Sequence, residues 1–313
     1  MRDIEGKTFW TVACSARLLG FDVESLGKEA VATSLIPKPA RVWVSHRYHA
    51  WREGQDALAC DAMVLSRAKS GRTWLRAMLS RLYQQRHGLD EAQLLEFDNF
   101  HEQNAEIPRF YFTHGQYLRE RFEDTGWCRS FGDRRIVFLV RNPCDVAVSE
   151  YFQSTRRASD SKVELFGVDR DVPIFDFVMQ GPLGLSSIVD YLNEWAPIMA
   201  ARASALVVRY EDLRTDPNDG LGRVSEFLEQ PFSKQEIAEA VEFAAFENLK
   251  ELERKNFFKN KRLSPKNPDD PDSFKVRRGK VGGYADYFDP DQVAAMEQFV
   301  RDRLDPVFGY FRT

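Results

Sequence analysis

The chain predicts an α/β fold, a single domain with a mostly parallel central sheet flanked by helices. Three observations predict it. From Asp61 onward, short apolar runs alternate with longer segments of helical periodicity, the pattern that builds parallel sheets. The run Ile136-Val137-Phe138-Leu139-Val140 has no polar alternation, as suits a strand covered on both faces. The run Met63-Val64-Leu65 ends in a small, cationic turn, and helical periodicity starts at once with Trp74, Leu75, Met78, Leu79 and Leu82.

Residues 1–60 read as an N-terminal extension packed on the main domain, which spans 61–313. The apolar segment Phe9-Trp10-Thr11-Val12-Ala13-Cys14 is expected to be a terminal helix packing on the core. Pro37-Lys38-Pro39 breaks the chain, and Arg41-Val42-Trp43-Val44-Ser45 alternates like a short strand. Beyond them, strands are expected at 62–66, 109–113, 135–140 and 205–209. Helices are expected at 73–87, 145–157, 184–202, 217–229, 234–253 and 290–304. The last opens on Asp289-Pro290, an N-cap residue followed by proline in the first turn. In such sheets ligands sit beyond the carboxyl ends of the strands, where the turn after Leu65 lies.

Composition narrows the classes. The chain has 313 residues with 43% hydrophobic and 29% charged side chains, an ordinary globular composition. Its net charge of −4 argues against general nucleic-acid binding, so an anion site must be a local basic cluster. Cys14, Cys60, Cys128 and Cys144 are scattered without a C-x-x-C pair, so neither a zinc site nor a disulfide framework follows. No apolar run is long enough to span a bilayer, and the mixed charges before residue 9 do not make a signal peptide. A cytoplasmic protein is expected.

The loop Lys69-Ser70-Gly71-Arg72-Thr73-Trp74 joins a strand to a helix start. Outward N–H groups and the helix dipole suit such a turn to phosphate, with Lys69 adding a full charge and Ser70 and Thr73 adding hydroxyls. The layout is P-loop-NTPase-like, but the string is not G-x-x-x-x-G-K-S/T, because the first glycine is missing and Lys69 precedes Gly71. Further on, Arg141-Asn142-Pro143-Cys144-Asp145 follows a buried strand and opens a helix carrying Ser149. An arginine fork and a serine hydroxyl there suit a second phosphate.

The first string resembles the 5′-phosphosulfate loop of sulfotransferases, P-K-S-G-T-T-W, and the second resembles their 3′-phosphate motif, R-N-x-x-D-x-x-x-S. The chain is thus similar to bacterial-type members of the PAPS-dependent family, which use 3′-phosphoadenosine 5′-phosphosulfate (PAPS), release PAP and need no catalytic metal. The resemblance implies further roles. Thr113-His114 falls where the family has its T-H base, so His114 would take the acceptor's proton, with Lys69 stabilising the leaving phosphate. Tyr210, in Tyr210-Glu211-Asp212-Leu213, would meet the adenine, with Trp74 as the opposing face and Phe246 as another contact. Arg277-Arg278-Gly279 resembles the R-K-G segment that closes over the 3′-phosphate, and lies within a stretch read as a mobile lid at about 255–283. Cofactor contacts would then come from Lys69, Ser70, Gly71, Arg72, Thr73, Trp74, Arg141, Ser149, Tyr210, Phe246, Arg277, Arg278 and Gly279.

The chain departs from the better-known members. Phe112 stands where a lysine usually precedes T-H, Arg72 replaces a threonine, and Gly283-Tyr284 replaces Asp-Trp. A homodimer would fit the family, yet the K-x-x-x-T-V-x-x-x-E signature is missing. The acceptor wall is expected from 150–183 and parts of 97–125, where Arg156, Arg157, Glu164, Asp169 and Asp171 mix with Phe110, Phe166, Phe175 and Phe177. That mixture favours a carbohydrate, glycolipid or other small-metabolite hydroxyl, or an amine, over a uniformly apolar steroid. Two rival classes are an ATP-dependent small-molecule kinase and a non-catalytic nucleotide-binding scaffold. The first lacks a lysine after the glycine, and the second would not need both Lys69 and His114.

Overall fold

A computed structural model of the chain describes residues 38–116, 118, 132–158, 163, 166–258, 260, 263 and 279–310. The helix expected at 9–14, Cys14, Cys128, Glu164, and residues 264–278 with Arg277 and Arg278 lie outside them. The chain divides into two compact units, one drawing on residues 1–59 and 115–131 and the other on 60–114 and 132–313.

In the first unit the strand expected at 41–45 is instead part of a helix, α1, Lys38–Ala59. Pro39 sits in its first turn, where a missing N–H costs no intrahelical bond. Five alternating residues are too short a run to specify a strand. Among its described side chains Tyr48, Ala50, Gly54 and Ala57 are buried, the last three at i, i+4, i+7 on one helical face.

In the second unit the four expected strands form one sheet: β1 (Ala62–Ser66), β2 (Phe110–Thr113), β3 (Arg135–Val140) and β4 (Ala205–Arg209). The order is β2-β1-β3-β4, and every described pairing is parallel. Val64 pairs with Phe112 on one side and Val137 on the other. Side chains along β3 alternate between two covered faces, as the period of a strand requires. Val137 and Leu139 join a core with Leu75, Met78 and Leu79 of α2 (Arg72–His87). Phe138 meets Trp195 and Phe308 instead. Each of these fully buried side chains contributes roughly 1.5–3 kcal/mol.

The remaining helices are α3 (Pro143–Phe152), α4 (Ile174–Gln180), α5 (Leu185–Ala201), α6 (Tyr210–Thr215), α7 (Pro217–Phe227), α8 (Lys234–Phe243), α9 (Phe246–Arg254) and α10 (Pro290–Arg303). Four differ from expectation. The helix expected at 145–157 loosens into a π-helical turn, Gln153–Arg157, where Ala158 N–H donates to Gln153 O at 2.8 Å. The short α4 and α6 were not expected. The helix expected at 234–253 breaks at Ala244 and Ala245, because Ala245 is extended (φ −56, ψ 146). The Trp74 indole N–H donates to Ala244 O at 2.9 Å, holding that break from outside. Asp289 caps α10 as expected, its carboxylate accepting from Gln292 N–H at 2.8 Å.

Ser233 and Glu236 form a capping box at the start of α8. Arg86, bonded to the carboxylate at 2.9 and 3.0 Å, is the main reason the Glu236 pKa falls from 4.5 to about 2. A depressed carboxylate pKa stabilises the fold above the unfolded value and loses that stabilisation as pH falls through the folded one. Glu236→Gln is therefore expected to cost about 0.5–1 kcal/mol at pH 7. The difference from wild type should shrink between pH 4.5 and about 2, measured by urea denaturation.

Candidate active site

The loop after β1 is shaped by two residues in left-handed backbone, Lys69 (φ 68) and Gly71 (φ 95). Gly71 is the N-cap of α2 and carries no side-chain cap, so the helix start is open for an anion. A Cβ at Gly71 would lie 2.6 Å from Tyr210 Cδ2, inside van der Waals contact. Gly71→Ala is expected to cost about 1–2 kcal/mol from the backbone alone, and more from that clash. Unchanged urea stability would show that the loop relaxes around it.

A cavity of about 460 Å³ opens over the carboxyl ends of the strands. Lys69 enters it with Nζ donating to Gln153 Oε1 at 3.2 Å. His114, just past β2, places Nδ1 2.8 Å from Ser66 O and Nε2 2.8 Å from Arg72 Nη2. A carbonyl only accepts and a guanidinium only donates. The proton therefore sits on Nδ1, and Nε2 carries the lone pair.

On the other side Arg141 leaves β3 and stacks its guanidinium over Tyr210, 4.5 Å from the ring centre. It donates to Lys69 O at 3.3 Å and Lys280 O at 3.1 Å, and lies 3.5 Å from Asp145. Among the described residues nothing accepts from its buried Nε. The Asp145 carboxylate accepts from Gly282 N–H at 2.9 Å and Tyr284 N–H at 3.0 Å, fastening the 279–284 segment to the start of α3. Asn142 caps α3 through its side chain, while its own N–H donates to Glu211 at 2.8 Å. Glu211 in turn accepts from the Tyr310 hydroxyl at 2.7 Å.

The aromatic contacts are partly as expected. Trp74, Tyr210 and Phe246 all line the cavity. Trp74 and Tyr210, however, meet edge to face at 5.8 Å and 71°, forming a corner instead of two parallel faces. Gly279 (φ 59) lies against Phe246, where a Cβ would come within 2.8 Å of the ring. Burial pushes the Tyr210 phenol up, against the lowering effect of Arg141 and Arg214, so it stays a neutral donor. Cys144 is likewise held as a thiol, pushed up first by burial and then by Glu297 and Asp145.

Of the sequence-predicted residues, Lys69, Gly71, Arg72, Thr73, Trp74, His114, Arg141, Ser149, Tyr210, Phe246 and Gly279 line this one cavity. Ser70 does not, and is 2% exposed. Phe110 and Phe177 are core residues, 0% and 1% exposed, and are not part of an acceptor wall. The sequence reading missed Gln153 and Arg214. Each lies four positions after a residue that was singled out, Ser149 and Tyr210, so helical spacing was the available signal. Among the described residues no group of three His, Cys, Asp or Glu side chains could hold a metal, and no helix is long and apolar enough to cross a membrane.

The chain matches the sulfotransferase domain family over residues 60–307. It is 28% identical over 279 residues to cytosolic sulfotransferase 15 of Arabidopsis thaliana, covering 79% of this chain and 73% of that one. It is 22% identical over 257 residues to the 3-alpha-hydroxysteroid sulfotransferase of Cavia porcellus, covering 78% and 83%. A crystal structure of a mouse sulfotransferase complexed with PAP shares the fold, with a TM-score of 0.52 at 20% identity over 77% of this chain and 83% of that one. Retinol dehydratase in complex with retinol and PAP gives a TM-score of 0.52 at 18% identity, covering 77% and 80%. The family match takes in all four strands and every residue lining the cavity, and the chain belongs to the sulfotransferase domain family.

Proposed function

We infer that this sulfotransferase moves the sulfuryl group of PAPS onto a hydroxyl, or an amine, of a small acceptor, with His114 as the base. The observation that carries this is the convergence of Lys69, His114 and Arg141 on one cavity. PAPS supplies the sulfuryl group: the acceptor oxygen bonds to sulfur, the bond from sulfur to the 5′-phosphate breaks, and PAP leaves with that electron pair. The fit rests on Arg141, whose buried Nε lacks an acceptor among the described residues and would find one in a 3′-phosphate. Ser149 lines the same cavity and adds a hydroxyl.

His114 receives the acceptor's proton on Nε2, the nitrogen that Ser66 O leaves unprotonated. Lys69 and the N–H groups at the start of α2 stabilise charge growing on the leaving phosphate. Tyr210, Trp74 and Phe246 supply apolar faces for the adenine. In-line displacement of this kind draws mainly on positioning and fixed charge.

Arg67, Glu150 and Gln153 make part of the cavity polar, which supports a hydroxyl-rich acceptor such as a carbohydrate or glycolipid. The order strand, Lys69 loop, helix supports a P-loop-NTPase-like layout, and the sequence departures support a bacterial-type member. Relatives described as cytosolic support the same compartment here. Residues 61–313 are the catalytic domain in this reading, with residues 1–60 an extension.

Calorimetry with PAP, ADP and ATP–magnesium tests the donor class. PAP is expected to bind at least about tenfold more tightly than ADP, the worth of one charge-assisted hydrogen bond. A preference for ATP–magnesium would overturn the sulfotransferase reading.

A further inference from the structure

Resting on the sulfuryl-transfer reading, we propose that Arg72 is a catalytic cation for the transferring group, parked on the base until the donor arrives. Its Nη2 lies 2.8 Å from His114 Nε2. Because Ser66 O holds the His114 proton on Nδ1, that contact occupies the lone pair the reaction needs. The acceptor hydroxyl must come within about 3 Å of the same nitrogen, so Arg72 has to leave before His114 can work. The sulfur then lies about 3–3.5 Å beyond the acceptor oxygen. A guanidinium moving one hydrogen-bond length off Nε2 meets the sulfuryl oxygens, to which it offers a planar fork that stays protonated.

Strand β2 supplies no competing charge. Phe112, two residues before His114, has its ring under Arg76 at 3.8 Å. Arg76 is 3% exposed, bonded to Leu95 O at 2.7 Å and Glu96 at 3.0 Å, and does not line the cavity. Arg72, at the first position of α2, reaches His114 from the loop. One side chain thus silences the base in the empty site and serves the sulfuryl group in the filled one.

The test has two arms. In the first, nucleotide-free protein is treated with diethyl pyrocarbonate, which acylates an imidazole lone pair, and the His114 peptide is followed by mass spectrometry. Arg72→Met is expected to speed modification of His114 about tenfold, the worth of one hydrogen bond to a charged group. Equal rates in wild type and variant would overturn the parked contact. In the second arm, kcat in Arg72→Met is expected to fall roughly a hundredfold with acceptor KM little changed. Arg72→Lys, which keeps the charge, should recover most of that loss. An unchanged kcat, or no rescue by lysine, would overturn the catalytic role. Should Arg72→Met not fold, Arg72→Thr carries the same comparisons. The modification arm needs no donor, so failure of wild type to bind PAP would sink the donor assignment and leave that arm readable.

Discussion

Replacing His114 with alanine is expected to lower kcat by about 10²–10⁴ while leaving PAP affinity within about twofold, since general-base catalysis is worth that much and in the proposed mechanism the side chain meets the acceptor, not the nucleotide. The geometry makes the expectation specific. Nδ1 is committed to Ser66 O, so only Nε2 can take a proton, and among the described residues no second imidazole lines the cavity. Steady-state rates with a saturating acceptor, paired with PAP calorimetry, separate the outcomes. Turnover near the wild-type level would assign the base elsewhere. Loss of PAP binding would make His114 a structural support of the loop that ends β1.

The second large effect is expected at Asp145. The carboxylate is 4% exposed, accepts two backbone N–H groups from the 282–284 turn and faces Arg141 at 3.5 Å. Asp145→Ala leaves both N–H groups without their acceptor and the Arg141 charge without its counter-charge. Breaking a buried pair of this kind costs about 3–5 kcal/mol. PAP affinity should fall with it, because Gly279 and Lys280 are anchored through the same turn. Asp145→Asn retains one acceptor oxygen and should recover part of the stability but not the charge balance. Urea denaturation and calorimetry on both variants check this, and a stability loss under about 1 kcal/mol in Asp145→Ala would mean that water replaces the carboxylate.

The parallel sheet was legible because its strands lack polar alternation, which leaves one explanation for residues 136–140. The positions of the Lys69 loop and of Arg141 were legible because their spacing puts them at strand ends. Other features depended on tertiary partners that no local pattern carries. Ala244 and Ala245 are strong helix formers, so nothing in their identity announces the break that Trp74 stabilises from 170 positions away. Phe110 and Phe177 resemble pocket walls in sequence, and only packing shows them to be core. The Arg72–His114 contact joins residues 42 apart through the meeting of β1 and β2. The 41–45 segment shows the opposite failure, in which a local alternation was real but too brief to outweigh a helix.

The chain of bonds from Tyr310 through Glu211 to Asn142 ties the segment that follows α10 to the turn that presents Arg141. Tyr310 follows every residue that lines the cavity in the chain, so synthesis delivers this brace after the cavity's own side chains. A chain stopping at Leu304 would keep every side chain that faces the cavity, yet its α3 cap would lose the hydroxyl that steadies Glu211. Removal of residues 305–310 is therefore expected to weaken donor capture in the proposed reading and also to strip Phe308 from Phe138 of β3.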